Sequence, residues 1–449
     1  MAKSIRPWQA KEIVEIVKAK DYFGEQNWEA LEVSTDTRNI SKGALFIALR
    51  GENFKGEDFL AQAKEKAAVA AIVQEINREI SLPQIAVASS LQALADLAIE
   101  RRQRSQAIVV GLTGSNGKTS TKEMLARIFS QAGETLFTAG NLNNDIGVPL
   151  TLLRLRDEHQ FVIIEMGANH PSEIAYLAKI AQPNIALVTN VSAAHLEGFG
   201  SLEGVAQTKS ELYKNSHEKI VINVDLPWAN DWLAQYESRP KKTFSLRGNG
   251  DIVPSFISDD GRHFVVNIEN QKMTVDWNLY GRHNVENALA ACATAILAGL
   301  SIEHISAGLN GLSLKQSRLS VFSVNQHRIY DDTYNANPAS FKAGIDVLAS
   351  STGGETLVIA GAMAELGENS AQLHQEVTQY AKKQGVTRFW SLNAKDYNAE
   401  NFTSLEALAE ALKNLLALES MQIILVKGSR SAAMERVFIA ADLEKYRKG

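Results

Sequence analysis

The sequence predicts an α/β fold in three domains, on three observations. The chain has 449 residues, more than one hydrophobic core usually serves, so two or three domains are expected. Short apolar runs of strand length alternate with helical patterns along most of it, as in open, largely parallel sheets. One such run is followed by a glycine-rich loop and then a helix, the place where parallel sheets carry ligands.

The first section, residues 1–87, holds the apolar segments Ala44–Leu49 and Ala68–Val73 with turn-like Gly51 and Gly56 between them. It is expected to form a small α/β domain. The second section, 88–317, opens on a helix expected over Ser90–Arg104, where Leu91, Leu94, Leu97 and Ala98 recur at helical spacing. The run Ala107–Leu112 reads as a strand. After the glycine-rich loop a helix is expected over Ser120–Gln131, with Met124, Leu125, Ile128 and Phe129 on one face and Gly133 as its stop. Phe161–Ile164, Ile185–Val188 and Ile220–Val224 read as further strands of a parallel sheet. The third section, 318–449, carries the runs Thr356–Ala360 and Gln422–Val426 with helices between, a second open α/β sheet of the Rossmann-like kind. No repeat of solenoid length is present.

Composition narrows the function. There are 46 basic and 51 acidic residues, a formal net charge of -5. A nucleic-acid surface would show a basic excess, so no nucleic-acid partner is expected. The single cysteine, Cys292, lies in the apolar helical run Asn287–Leu300 and reads as a core thiol. That run is too short to span a bilayer, and residues 1–20 lack a signal-peptide pattern. No membrane insertion is expected, and a reducing cytoplasmic location is the default.

Gly111 to Ser120 reads Gly-Leu-Thr-Gly-Ser-Asn-Gly-Lys-Thr-Ser. Gly114, Ser115, Asn116 and Gly117 would turn backbone N–H groups toward phosphate oxygens, and the helix that Ser120 opens adds positive potential. Lys118 would reach the β- and γ-phosphates, and the Thr119 hydroxyl would ligate Mg²⁺. The general phosphate-loop pattern has glycine five residues before Gly117; Leu112 stands there. Read alone, Glu165 is a charge at a strand end, His195 a loop histidine and Lys209 a surface lysine.

Thr113-Gly-Ser-Asn-Gly-Lys-Thr119 resembles the phosphate loop of the Mur ligases and their folylpolyglutamate synthase relatives, which share the missing first glycine. Gly281-Arg-His-Asn-Val-Glu-Asn287 resembles the family's adenine-side motif, which implies a base contact for Asn287. Asp332, in Asp-Asp-Thr-Tyr-Asn-Ala-Asn-Pro338, matches the ribose-binding turn. Arg318 matches an arginine that reaches the nucleotide across the domain boundary, with Ser317 in place of the usual glycine. The resemblance implies ATP and Mg²⁺ as cofactors. Forming an amide from a carboxylate needs a better leaving group than oxide, which ATP supplies by phosphorylation, with metal ions offsetting the charge of the two anionic reactants. Glu165, His195 and Lys209 match the family's ligands for a second Mg²⁺, and Lys209 stands where the family carries an N6-carbamoylated lysine. Lys118, His195 and Lys209 are thereby the expected catalytic residues.

Within the family, the chain is most similar to the member that joins D-alanyl-D-alanine to UDP-N-acetylmuramoyl-tripeptide. Ser34-Thr35-Asp36-Thr37-Arg38 resembles the uridine-end motif. Asn143 and Asn144 in Gly140–Pro149, Asn335 and Asn337 before Pro338, and Lys427 and Ser429 in Val426–Arg430 match segments expected to contact substrate. Ala362 stands where the family usually has aspartate. A monomer is the family's usual form. The nearest alternative adds diaminopimelate or lysine to the UDP-dipeptide; a folate polyglutamylating enzyme and a P-loop switch protein explain fewer of these segments.

Overall fold

The computed structural model describes residues 7–52, 54–216, 218–314 and 317–447. Sheets of five, nine and six strands build three α/β domains, with two two-stranded ribbons beside them. The five-stranded sheet has the order Asp21–Phe23, Gln84–Ala86, Ala70–Val73, Leu45–Ile47, Val33–Ser34. Its pairings are parallel except at the Asp21–Phe23 edge. Leu45–Ile47 and Ala70–Val73 are buried along their whole length, which is why they read as continuous apolar runs.

Helix Ser90–Arg104 has the expected bounds and is capped by the Ser89 hydroxyl, which accepts from the Gln92 N–H. It serves two cores. Leu94 and Leu97 pack with the first domain, and Ala95 and Ala98 with the second.

The nine-stranded sheet runs Thr135–Phe137, Phe161–Glu165, Ile108–Thr113, Ile185–Val188, Lys219–Asn223, Lys241–Phe244, Ile252–Ile257, His263–Ile268, Gln271–Asp276. Pairing is parallel as far as Ile252–Ile257 and antiparallel beyond. From Ile108–Thr113 the chain fills one side of the sheet, then crosses to Ile185–Val188 on the other. The carboxyl end of Ile108–Thr113 is therefore a topological switch point. The following helix spans Lys118–Phe129, two residues earlier than expected, because Gly117 takes φ +75° and acts as its N-cap.

The six-stranded sheet runs Ser320–Val324, His327–Asp332, Gln422–Lys427, Glu355–Gly361, Arg388–Leu392, Glu400–Phe402. Only its first pair is antiparallel. Asp332 and Lys427 end neighbouring parallel strands and are paired in register. The described helices include none long and apolar enough to cross a membrane.

Candidate nucleotide site between the domains

A cavity of about 1190 Å³ lies where the second and third domains meet, with Leu91 of the shared helix at its edge. The phosphate loop forms its floor. Gly114 has φ +156° and Gly117 φ +75°; a Cβ at either would collide, with Thr189 or with the Asn287 carboxamide. The loop is tied to the end of the neighbouring strand. Asn190 Oδ1 accepts the Asn116 N–H at 2.8 Å, Thr189 Oγ1 donates to the Asn116 carbonyl at 2.8 Å, and Ser115 Oγ donates to Ser192 O at 3.1 Å. The Lys118 ammonium donates to the carbonyls of Gly114 (2.7 Å) and Ser115 (3.3 Å). Burial lowers the pKa of Lys118, offset in part by Glu165. An anion bound in the loop would reverse that cost.

Glu165 ends its strand 1% exposed. Its Oε1 accepts from Thr119 Oγ1 (3.2 Å) and Asn143 Nδ2 (2.8 Å), and its backbone N–H donates to Thr138 Oγ1. Its Oε2 is buried without a hydrogen bond and lies 3.9 Å from the buried ammonium of Lys122. Asn144 Oδ1 accepts from the Gly147 N–H, so this asparagine shapes the loop that presents Asn143.

His195 sits at the start of the short helix Leu196–Phe199 with φ +54°. Its Nδ1 is in ion-pair contact with Glu365 of the third domain. Burial lowers its pKa, and Glu365 works against that shift. Lys209, on helix Leu202–Lys214, is 2% exposed and packs over the Phe199 ring at 5.4 Å. The burial sets it apart from an ordinary surface lysine. Desolvation first, and then the charge of Lys118, push its pKa down to about 7. The described residues include no group of three or more His, Cys, Asp or Glu placed to hold a metal. The arrangement therefore offers hydroxyl, amide and single-carboxylate oxygens around Thr119 and Glu165.

The third domain supplies the opposite wall. Arg318 lies 3.9 Å over the Tyr334 ring, and its guanidinium donates to Thr119 Oγ1 at 3.1 Å. Ser317 adopts φ +70°, a conformation that favours glycine. Its hydroxyl accepts from Arg447 at 2.7 Å, which gives the serine a role that glycine would lack. Lys427, 2% exposed, donates to Asp332 Oδ2 at 2.5 Å and to Asn335 O at 2.9 Å. Asn335 Oδ1 accepts from the Arg430 N–H. Asn337 caps helix Pro338–Ser350 and reaches Asn116. Asn287, 4% exposed, lies against Gly117 from helix Arg282–Leu297.

Not every expected residue is here. Ser34, Thr35, Asp36, Thr37 and Arg38 lie in the first domain, outside this cavity. There Ser34 and Asp36 form a local turn, Thr37 donates to Gln62, and Arg38 holds the Asp36 carboxyl down to about 2. Lys209 and Ser429 are also outside its lining, Ser429 being tied to Ala362 O and Ser431. Further residues line the cavity without having been given a role by sequence, among them His283, Glu286, Tyr334 and Arg430. His283 and Glu286 lie within the motif that pointed to Asn287.

Fold and site define a three-domain phosphate-loop protein whose third domain reaches the loop. Three family models match in turn: "Mur ligase family, catalytic domain" over residues 31–102, "Mur ligase middle domain" over 112–295, and "Mur ligase, glutamate ligase domain" over 317–442. A UDP-N-acetylmuramoyl-tripeptide–D-alanyl-D-alanine ligase from Escherichia coli (strain K12) is 44% identical over 421 residues, covering 90% of this chain and 92% of its own. The ligase of that name from Bacillus subtilis (strain 168) is 33% identical, with 90% and 92% covered. A crystal structure of MurF from Acinetobacter baumannii matches with a TM-score of 0.92 at 33% identity, covering 98% of this chain and 99% of that one. MurF from Thermotoga maritima in complex with ADP matches with a TM-score of 0.81 at 28% identity, covering 92% and 98%. The chain belongs to the Mur ligase family.

Proposed function

We propose that this protein is an ATP-dependent ligase that joins D-alanyl-D-alanine to UDP-N-acetylmuramoyl-tripeptide, giving the UDP-pentapeptide used for peptidoglycan synthesis. One observation carries most of the weight: a phosphate loop faces a buried carboxylate, Glu165, in a chain that spans nearly the whole length of ligases of that name. Residues 1–87 would bind the UDP end through Ser34–Arg38, residues 88–317 the ATP, and residues 318–449 the dipeptide and part of the nucleotide.

The reaction has two steps. A carboxylate oxygen of the tripeptide attacks the γ-phosphorus of ATP, the bond to ADP breaks, and an acyl phosphate forms. The dipeptide's amine then attacks the acyl carbon, loses a proton and expels inorganic phosphate. Lys118 and the loop N–H groups hold the β- and γ-phosphates. Arg318 brings a second cation to the Thr119 side of the loop, where charge moves during transfer. Asp332 and Asn287 take the ribose and base.

Mg²⁺ fits this residue set. The Glu165 Oε2 is buried and lacks a hydrogen bond, and the Thr119 hydroxyl is bonded to the same carboxylate. Mg²⁺ usually takes only one or two carboxylates, with phosphate and water completing its shell, so a dense protein cluster is not required. When bound it would neutralise phosphate charge and orient the acid. Glu165, His195 and Lys209 would together serve a second ion. With its pKa pushed down to about 7, Lys209 offers a much larger share of neutral amine near neutral pH than an ordinary lysine, and that is the form that adds CO₂ to give a carbamate and a proton. A cytoplasmic monomer fits these substrates.

Phosphate release tests the proposal. It is expected from ATP only when UDP-tripeptide and D-alanyl-D-alanine are both present. Release with diaminopimelate or lysine on the UDP-dipeptide instead would identify the preceding ligase of the pathway. Release without any amine acceptor would point to an ATPase.

A further inference from the structure

The carboxamide of Asn337 is committed at both ends. Its Oδ1 accepts the Ser340 N–H at 2.9 Å and so caps helix Pro338–Ser350. Its Nδ2 donates to Asn116 Oδ1, in the phosphate loop, at 2.7 Å. Asn116 Nδ2 donates onward to Ser192 Oγ at 2.8 Å, and the Ser192 N–H donates to Ser115 Oγ at 2.9 Å. A backbone N–H can only donate. The Ser340 N–H therefore fixes which end of Asn337 faces the loop, and Asn337 fixes the orientation of Asn116. The Asn116 main chain is already held by Thr189 and Asn190, so its side chain is the part that reaches the third domain.

We infer that Asn337 is a positioning residue for the nucleotide, coupling the docking of the third domain to the conformation of the phosphate loop, and does not bind the incoming dipeptide. The inference rests on the nucleotide reading of the loop. A nucleotide that touches both the loop and the Arg318–Asp332 wall binds the docked arrangement. Any contact that favours docking raises its apparent affinity. The sequence resemblance placed Asn337 among the substrate contacts, but its Oδ1 and one N–H of its Nδ2 are engaged by the helix cap and the loop.

Asn337→Ser and Asn337→Asp both keep a good helix cap. Neither can donate to Asn116 as the carboxamide does, and the aspartate turns a negative charge toward the Asn116 carbonyl oxygen. Calorimetric titration with ADP, without dipeptide, is expected to show roughly three- to tenfold weaker binding, the worth of one neutral hydrogen bond. The melting temperature and the KM for D-alanyl-D-alanine should stay near wild type. Asn337→Ser combined with Asn116→Ala should lose no more affinity than Asn116→Ala alone. Unchanged ADP affinity, additive losses, or a rise only in the dipeptide KM would overturn the inference. So would early melting of both variants, which would make the cap the residue's whole role. Failure of the wild type itself to bind ADP would instead sink the nucleotide reading.

Discussion

At the scale of single residues, Lys209 is the most exposed to test. Buried beside Lys118, it is held near pKa 7 against an ordinary 10.5. The folded state thus prefers the neutral amine, and the unfolded chain binds the extra proton between those values. Stability contributed at this site rises with pH through that window and is at its lowest below about 7. In chemical denaturation of protein stripped of CO₂, Lys209→Met is expected to flatten the stability profile between pH 7 and 10.5 and to gain most over wild type at the acid end. Parallel profiles for the two proteins would place Lys209 in a wetter site than the one described. The same depression makes this lysine chemically distinctive, because an ordinary surface lysine offers little neutral amine to CO₂. Ser317 makes a different point. It accepts a left-handed backbone, the conformation that favours glycine, and its hydroxyl gains the Arg447 guanidinium.

At the scale of elements, helix Ser90–Arg104 couples two domains because two adjoining faces are apolar, one with Leu94 and Leu97 and one with Ala95 and Ala98. Leu97, fully buried in the first-domain core, is the sharper probe. Leu97→Ala should cost about 2–5 kcal/mol in urea unfolding. A loss under 1 kcal/mol would mean that this face is not packed as described. The elements also show what sequence could reveal. This helix was legible because four apolar residues repeat at helical spacing and charges close it. The phosphate loop was legible because its chemistry is local, seven consecutive residues between a strand and a helix. Glu165 stood out as the first charge after an apolar run. The ribbon His263–Ile268 and Gln271–Asp276 went unmarked, although Phe264, Val266 and Ile268 alternate as a half-buried strand should. The partners Asn116 and Asn337, and likewise His195 and Glu365, join distant parts of the chain, and no spacing rule reaches that far. The burial of Lys209 is likewise not legible from its neighbours in sequence, because it depends on how helix Leu202–Lys214 packs.

At the scale of the whole molecule, the second and third domains share one cavity around the phosphate loop. The switch point of the nine-stranded sheet presents the loop, the third domain brings Arg318, Asp332 and Lys427 against it, and the cavity between them is large enough for a nucleotide and an acyl group together. The first domain is joined to the second through the shared helix, and the proposed function gives it the UDP end of the substrate. Such a division suits a ligase that must hold three substrates at once. The central claim is the identity of the bond formed. The most direct measurement is the mass of the product after incubation of the protein with ATP, Mg²⁺, UDP-N-acetylmuramoyl-tripeptide and D-alanyl-D-alanine. The account predicts a UDP-pentapeptide, heavier than the tripeptide by the dipeptide less one water, with one ADP and one phosphate per product. Recovery of unchanged UDP-tripeptide from protein that turns over ATP with another amine would contradict it.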